Sequence, residues 1–218
     1  IDRATDEKFD TNKLCNFIQT KLDEVQNIMV VLNTKSVVKK LYELLKEETS
    51  IPVYHLSTSM CAAHRKEILD EIREKLDNEE KLICVSTQLI EAGVDISFDC
   101  VIRSLAGLDS IAQAAGRCNR HGKKDLGYVY VIDHMEENLD KLKEIKVGKK
   151  VSARILKDIK NNPRLHGGSI LTTEAMKKYF REFYNELESN LNYYIPKLGK
   201  NLVELLNVKK ANSTYCQG

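Results

Sequence analysis

Two arginines lie three residues apart in Gln113-Ala114-Ala115-Gly116-Arg117-Cys118-Asn119-Arg120, behind a glutamine and a glycine. On a helix, positions i and i+3 share a face, so Arg117 and Arg120 can address a single anion. A guanidinium is a permanent cation with a planar fork of donors that suits phosphate oxygens. Gly116 permits close backbone packing beside it. The same spacing also serves ordinary surface salt bridges, so the run alone leaves both uses open.

A second polar cluster, Ser86-Thr87-Gln88-Leu89-Ile90-Glu91-Ala92-Gly93-Val94-Asp95, lies about 20 residues upstream. Thr87 and Gln88 close an apolar run. At a strand end, hydroxyl, amide and backbone N–H groups can hold a phosphodiester without reading bases. Gly93 allows a tight backbone approach, and Asp95 is an acceptor suited to a ribose hydroxyl. In isolation the same residues could cap a short helix and a turn.

These side chains need a frame to position them. Short β-branched runs at 27–33, 52–57, 82–86, 99–103 and 127–132 read as strands. Between them, 35–48 and 62–76 carry apolar residues at helical spacing, and Asp109 is placed to cap a short helix bearing the arginine run. This alternation predicts an α/β fold with a doubly wound parallel sheet. Ligands of such sheets sit at the carboxyl ends of the strands. Asn33-Thr34, Ser57-Thr58-Ser59 and Ser86-Thr87-Gln88 each follow a strand, which predicts one functional rim. The boundaries read as a helical lead-in at 1–24, the α/β domain at 25–135 and a helical extension at 136–218. Within that extension, helices are expected at 138–145, 151–159 and 174–191, ahead of a poorly ordered polar tail.

The chain has 218 residues, enough for one α/β core plus an appendage. Residues 1–133 carry a net charge of −4 and residues 134–218 a net of +6. The basic C-terminal part is compatible with a phosphate-backbone partner or with a solvated helical surface. Six cysteines without C-x-x-C spacing suggest neither a zinc site nor a disulfide framework, so no metal site is expected and a cytoplasmic location is. Cys84 and Cys100 sit in apolar runs and read as small core residues. No apolar stretch approaches the length of a membrane span. The chain begins Ile1-Asp2-Arg3 and reads as a piece of something longer.

With both clusters in order, the chain resembles the second RecA-like domain of superfamily-two helicases, and more narrowly the CRISPR-associated helicase–nuclease of type I systems. The resemblance rests on His55-Leu56-Ser57-Thr58-Ser59-Met60 with His64-Arg65, on Val85-Ser86-Thr87-Gln88-Leu89-Ile90-Glu91-Ala92-Gly93-Val94-Asp95, and on Leu108-Asp109-Ser110-Ile111-Ala112-Gln113-Ala114-Ala115-Gly116-Arg117-Cys118-Asn119-Arg120-His121-Gly122. It implies that Asn33, Thr34, Ser57, Thr58, His64 and Arg65 contact a nucleic-acid backbone. It further implies that Thr87 and Gln88 couple that strand to the nucleotide. Gly93, Asp95 and Gly116 would line the nucleotide site, and Gln113, Arg117 and Arg120 would face the phosphates of ATP, with Arg120 as arginine finger. The implied partners are single-stranded DNA, a guide-RNA surveillance complex, and the first RecA-like and nuclease domains.

The G-x-x-x-x-G-K-[ST] phosphate loop that ATP turnover needs is not in this sequence. Gly116…Gly122-Lys123-Lys124 has the wrong spacing and lacks the hydroxyl residue. No His-Asp nuclease signature is present either. The chain is therefore expected to supply one wall of a site for ATP with Mg2+, held mainly by the first RecA-like domain, and to be inactive alone. Other superfamily-two motors are the nearest alternative, although RNA helicases commonly place an arginine before the glycine of the Glu91-Ala92-Gly93 stretch. A non-catalytic RecA-like module that binds a partner protein is the second.

Overall fold

The computed structural model describes residues 2–88, 95–120, 122, 125–191 and 194–201. Its strands are β1 (Asp2–Phe9), β2 (Asn27–Val31), β3 (Val53–Leu56), β4 (Leu82–Ser86), β5 (Cys100–Ser104) and β6 (Tyr128–His134). All pair in parallel, in the order β1-β6-β5-β2-β4-β3. Strands β2, β4 and β5 are buried along their whole length, as central strands covered on both faces must be. That is why they appear in the sequence as unbroken apolar runs rather than alternating ones.

Successive side chains of these strands enter different cores, following the two-residue period. Ile28, Val30, Ile83 and Val85 face α1 (Thr11–Lys21) and α2 (Lys35–Glu48), meeting Leu14, Ile18, Leu41 and Leu45. Met29, Val31 and Cys84 face α3 (Ala62–Asp77) and α4 (Leu108–Ala115), meeting Ile72 and Ala114. This is the doubly wound RecA-like arrangement. Cys84 and Cys100 are fully buried, and burial pushes both thiols up to about 12.

The first residues differ from the expected helical lead-in. Asp2–Phe9 is an edge strand on β6, pairing Asp2 with Tyr130 and Phe9 with His134. Its sequence, DRATDEKF, has little strand character, and it is the partner strand that sets its conformation. Asp10 then caps α1 by accepting from the Lys13 amide at 2.7 Å.

The helix expected at 174–191 is present, whereas the part of the extension before it departs from expectation. One continuous α5 (Lys143–Asn161) replaces the two helices read around Gly148, and α6 (Thr173–Leu191) follows. Both dock on the α/β layer: Val151, Ile155, Ala175 and Tyr179 pack against Leu105, Leu108, Ile111 and Val131. Gly148 marks an approach of α5 to the backbone before α4, not a helix break. A Cβ there would stand 3.0 Å from the Gly107 Cα and 3.1 Å from its nitrogen. Gly107, not Asp109, is the N-cap of α4. The Asp109 carboxylate instead lies near the buried Tyr179 hydroxyl, whose pKa is raised by burial and by that neighbouring charge.

Two stability predictions follow from these contacts. Gly148→Ala forces apart two backbones and should cost about 1–3 kcal/mol, read as a lowered urea midpoint. Lys146→Ala, on the exposed side of α5, should stay within about 0.5 kcal/mol of wild type. The Glu136 carboxylate, which bridges Thr11 of α1 and Lys40 of α2, is lowered to about 2, chiefly by the Lys40 ammonium. A depressed carboxylate stabilises above its unfolded pKa and loses that contribution as pH falls through the folded value. The stability lead of wild type over Lys40→Met should therefore be about 1 kcal/mol near neutrality, after solvent screening, and vanish between pH 4.5 and about 2.

Candidate functional site

Because every strand runs the same way, the segments leaving β2, β3, β4 and β5 emerge on one edge of the sheet. The expected rim is there, but its side chains occupy different environments. Thr58 is exposed, whereas Ser57 is 4% exposed and its Oγ accepts from the Ser59 amide at 3.3 Å. The Lys35 ammonium donates to Ser59 Oγ at 2.9 Å, tying the start of α2 to the loop after β3. Thr34 is the N-cap residue of α2 without making a side-chain cap bond. Its Oγ1 and that of Thr87 are buried and without a hydrogen-bond partner among the described residues. Gln88 is half-buried at the end of β4. His64 and Arg65 open α3, the former exposed, with Nδ1 3.7 Å from Glu67.

Asn33 departs from the role expected of it. Rather than presenting its amide outward, it is 6% exposed and its polar atoms are engaged internally. Its Nδ2 donates to Glu137 Oε2 at 2.7 Å and to the Leu105 carbonyl at 3.1 Å. Its Oδ1 accepts from Arg103 Nη1 at 2.8 Å. Ser104 Oγ donates to Glu137 Oε2 at 2.7 Å. The result is a buried chain from a guanidinium with no solvent exposure, through Asn33 and Ser104, to a carboxylate 9% exposed. It joins the ends of β2 and β5 to the segment after β6. Arg103 and Glu137 were not singled out from sequence, although an arginine inside Cys100-Val101-Ile102-Arg103-Ser104 was the available signal.

The arginine run lies elsewhere. Helix α4 starts beyond the carboxyl end of β5 and runs back along the sheet, stopping at Ala115. Gly116 is its C-cap, so Arg117 and Arg120 stand on a turn and not on one helical face. The turn is stitched to the approach to β5: Phe98 N donates to the Arg117 carbonyl and Asn119 N to the Phe98 carbonyl, both at 2.8 Å. Asn119 takes a φ of 45°, a left-handed conformation that asparagine tolerates. The Arg120 amide donates to Ser97 Oγ at 2.9 Å. Asp99 N donates to Asn27 Oδ1 at 2.8 Å, which fixes this assembly at the amino edge of β2 and β5.

The two guanidiniums are thereby separated in kind. Arg117 is 8% exposed, while Arg120 is exposed and pairs through Nε with Asp95 Oδ1 at 3.2 Å. Asp95, whose side chain is 69% exposed, is thus beside Arg120, as their expected common site requires. Gln113 and Gly116 are exposed near the end of α4. Gly116 has a φ of −65°, and its nearest neighbours would leave a Cβ at ordinary contact distance, so nothing within this chain demands a glycine there. A cleft of about 300 Å³ opens beside the pair, lined by Gln26, Arg73, Asp77, Asp95, Ser97 and Asn119. Gly93 lies outside the described residues. Among those described, no cluster of His, Cys, Asp and Glu could hold a metal, and no helix is long and apolar enough to cross a membrane.

The expected rim and the arginine turn therefore sit on opposite edges of the sheet, linked by the short segment from Thr87 to Asp95. Removing the charge from the buried network should be severe. Arg103→Met is expected to cost about 3–5 kcal/mol in urea unfolding, because Glu137 stays buried without its counterpart. Arg103→Met combined with Glu137→Gln should recover part of that loss, giving a double-mutant coupling of about 0.5–3 kcal/mol.

Comparison with known proteins shows what the chain is similar to. Residues 24–123 match the family model described as "CRISPR-associated nuclease/helicase Cas3, C-terminal". A CRISPR-associated nuclease/helicase Cas3 of Methanothermobacter thermautotrophicus is 34% identical over 101 residues, which are 46% of this chain and 12% of that protein. One from Streptococcus thermophilus is 30% identical over 138 residues, 57% of this chain and 15% of that protein. The chain thus spans only a small part of these relatives. Among solved structures, T. fusca Cas3-AMPPNP superimposes with a TM-score of 0.66 at 16% identity, covering 83% of this chain and 24% of that one.

Proposed function

From the match of residues 24–123 to the Cas3-like C-terminal family model, we propose that this chain is the second motor-domain half of an ATP-dependent, single-stranded-DNA-translocating helicase of CRISPR interference. In this reading it works in the cytoplasm beside a first RecA-like domain and a nuclease domain, recruited by a guide-RNA surveillance complex. The observation that carries the reading is the Asp95–Arg120 pair at the amino edge, separated by seven residues of chain from Thr87 at the carboxyl edge. One short segment can then report the state of one edge to the other.

The amino-edge residues suit a nucleotide. Asp95 offers a solvent-facing carboxylate to ribose hydroxyls. Arg120 spends its Nε on Asp95, one of the five guanidinium donors, and an exposed pair of this kind is worth only about 0.2–1 kcal/mol. A hydrogen bond to a charged phosphate, at about 1.5–3 kcal/mol, outweighs it. The resting pair therefore holds Arg120 near its post without competing with an incoming anion. Gly116 leaves the surface beside Arg117 low, which suits a facing domain. ATP with Mg2+, when bound, supplies the phosphoryl group whose transfer to water drives the motor, and the first domain would hold most of it.

The carboxyl edge suits a strand backbone. The exposed Thr58 hydroxyl is a donor that a phosphate oxygen can use without reading a base, while the buried, partnerless Thr34 and Thr87 hydroxyls would join it only on a shift of the rim. Movement would be independent of sequence and sensitive to salt. Asn33 serves this rim indirectly, by fixing the loop that carries Thr34.

The deciding measurement is ATP turnover by the complete enzyme carrying Arg120→Ala. An arginine finger is worth roughly 10³–10⁵ in rate, so turnover should fall at least about a thousandfold while nucleotide affinity and melting temperature change little. Turnover within tenfold of wild type would refute the role. Arg117→Ala should differ by also lowering the melting temperature, because that side chain is buried.

A further inference from the structure

Helix α6 carries a surface feature that neither edge of the sheet uses. Its inner side places Ala175, Tyr179 and Phe183 against the α/β layer and α5. Its acidic residues Glu182 and Glu186 turn toward α5 and are neutralised: Arg154 Nη2 lies 3.1 Å from each, and Lys150 Nζ lies 3.0 Å from Glu186. Lys178 also pairs with Glu182, at 2.7 Å.

The outward side is different. Phe180 and Tyr184 are one turn apart and 38% and 52% exposed. Their rings stack with centroids 6.1 Å apart and planes within 20°. Lys177 and Arg181, at i−3 and i+1 from Phe180, share this side, are exposed, and make no ion pair among the described residues. Glu174, exposed at the start of the helix, is the one carboxylate near them whose side chain is described. Positions 177, 180, 181 and 184 follow the i, i+3, i+4, i+7 spacing of a single helical face. Among the described side chains, Glu182 and Glu186 are thus paired toward α5, while Lys177 and Arg181 stand beside two open rings.

We propose that this face of α6 is a stacking platform for single-stranded nucleic acid, with Phe180 and Tyr184 receiving bases and Lys177 and Arg181 receiving the adjoining phosphates. Rings alone would fit an apolar protein surface equally well. Unpaired cations at the same spacing select an anionic chain that also carries flat apolar groups, which is what an unpaired strand offers. Position supports the same occupant. Tyr179, next to Phe180 and 5.1 Å from it ring to ring, packs in one cluster with Leu105 and Leu108 just beyond the carboxyl end of β5. The platform therefore borders the edge that carries Thr34, Thr58 and Thr87, and a strand leaving that rim would meet it. The platform is independent of the Asp95–Arg120 site.

The test is binding of a fluorescein-labelled dT20 strand to the purified 218-residue chain at low salt, followed by anisotropy. Phe180→Ala with Tyr184→Ala should weaken binding at least about tenfold. Lys177→Ala with Arg181→Ala should weaken it and reduce the slope of log affinity against log salt by about 1.4. The chain contains no tryptophan, so Phe180→Trp gives an isolated reporter that should retain affinity and be quenched as dT20 stacks on it. Wild-type affinity in the double alanine variant, with no quenching in Phe180→Trp, would overturn the platform, as would failure of the chain to bind dT20. So would a self-associating wild type that the double alanine variant renders monomeric, since the face would then be a protein interface. Thr58→Asp separates this proposal from the rim: if it alone abolishes binding, the rim stands and the platform falls.

Discussion

A guanidinium with no solvent exposure, at the end of a central strand, is the constraint on which this molecule turns. Taking Arg103 out of water is costly, and the structure meets that cost with three acceptors on Nη1 and with a carboxylate reached through Asn33 and Ser104. The partners come from β2, from β5 and from the segment after β6. Satisfying one charge therefore fixes three exits of the sheet relative to one another. Those exits include the loop leading to Thr34 and the start of the path to α4. A rim made of separate loops gains the rigidity of the core beneath it.

The parallel direction of the strands does the rest of the sorting. Chain leaving each strand appears on one edge, and chain returning to the next appears on the other. Hydroxyls suited to a strand backbone collect at the carboxyl edge, while α4 carries the arginine turn back to the amino edge beside Asp95. The two groups are not one clamp. They are separated along the chain by the residues between Thr87 and Asp95. The docking of α5 and α6 braces the start of α4, through the Gly107–Gly148 approach and the nearness of the Tyr179 hydroxyl to Asp109.

Much of this was legible in the order of residues. The central strands were readable because burial on both faces demands continuous apolar runs, and α2 and α3 because their apolar residues recur at helical spacing. The pairing of Asp95 with Arg120 was legible as membership of a common site, because their residue types and order resemble a known pair of motifs. Edge strand β1 was not legible, since its conformation comes from hydrogen bonds to β6 and not from its own composition. The continuity of α5 through Gly148 was not legible for a related reason: a glycine between two helical stretches marks either a break or a close neighbour, and only the neighbour distinguishes them.

The sequence by itself thus determined the fold class, the polar clusters after the strands and the likeness of residues 24–123 to a known family model. Each of these depends on local periodicity or on a run of contiguous residues. Only the tertiary structure decided that Arg117 is buried and Arg120 exposed, that Asn33 faces inward to Arg103 and Glu137, and that the two chemical clusters occupy opposite edges. Those facts follow from contacts between segments up to about a hundred residues apart. Burial and charge pairing are properties of such contacts, and spacing along the chain does not encode them.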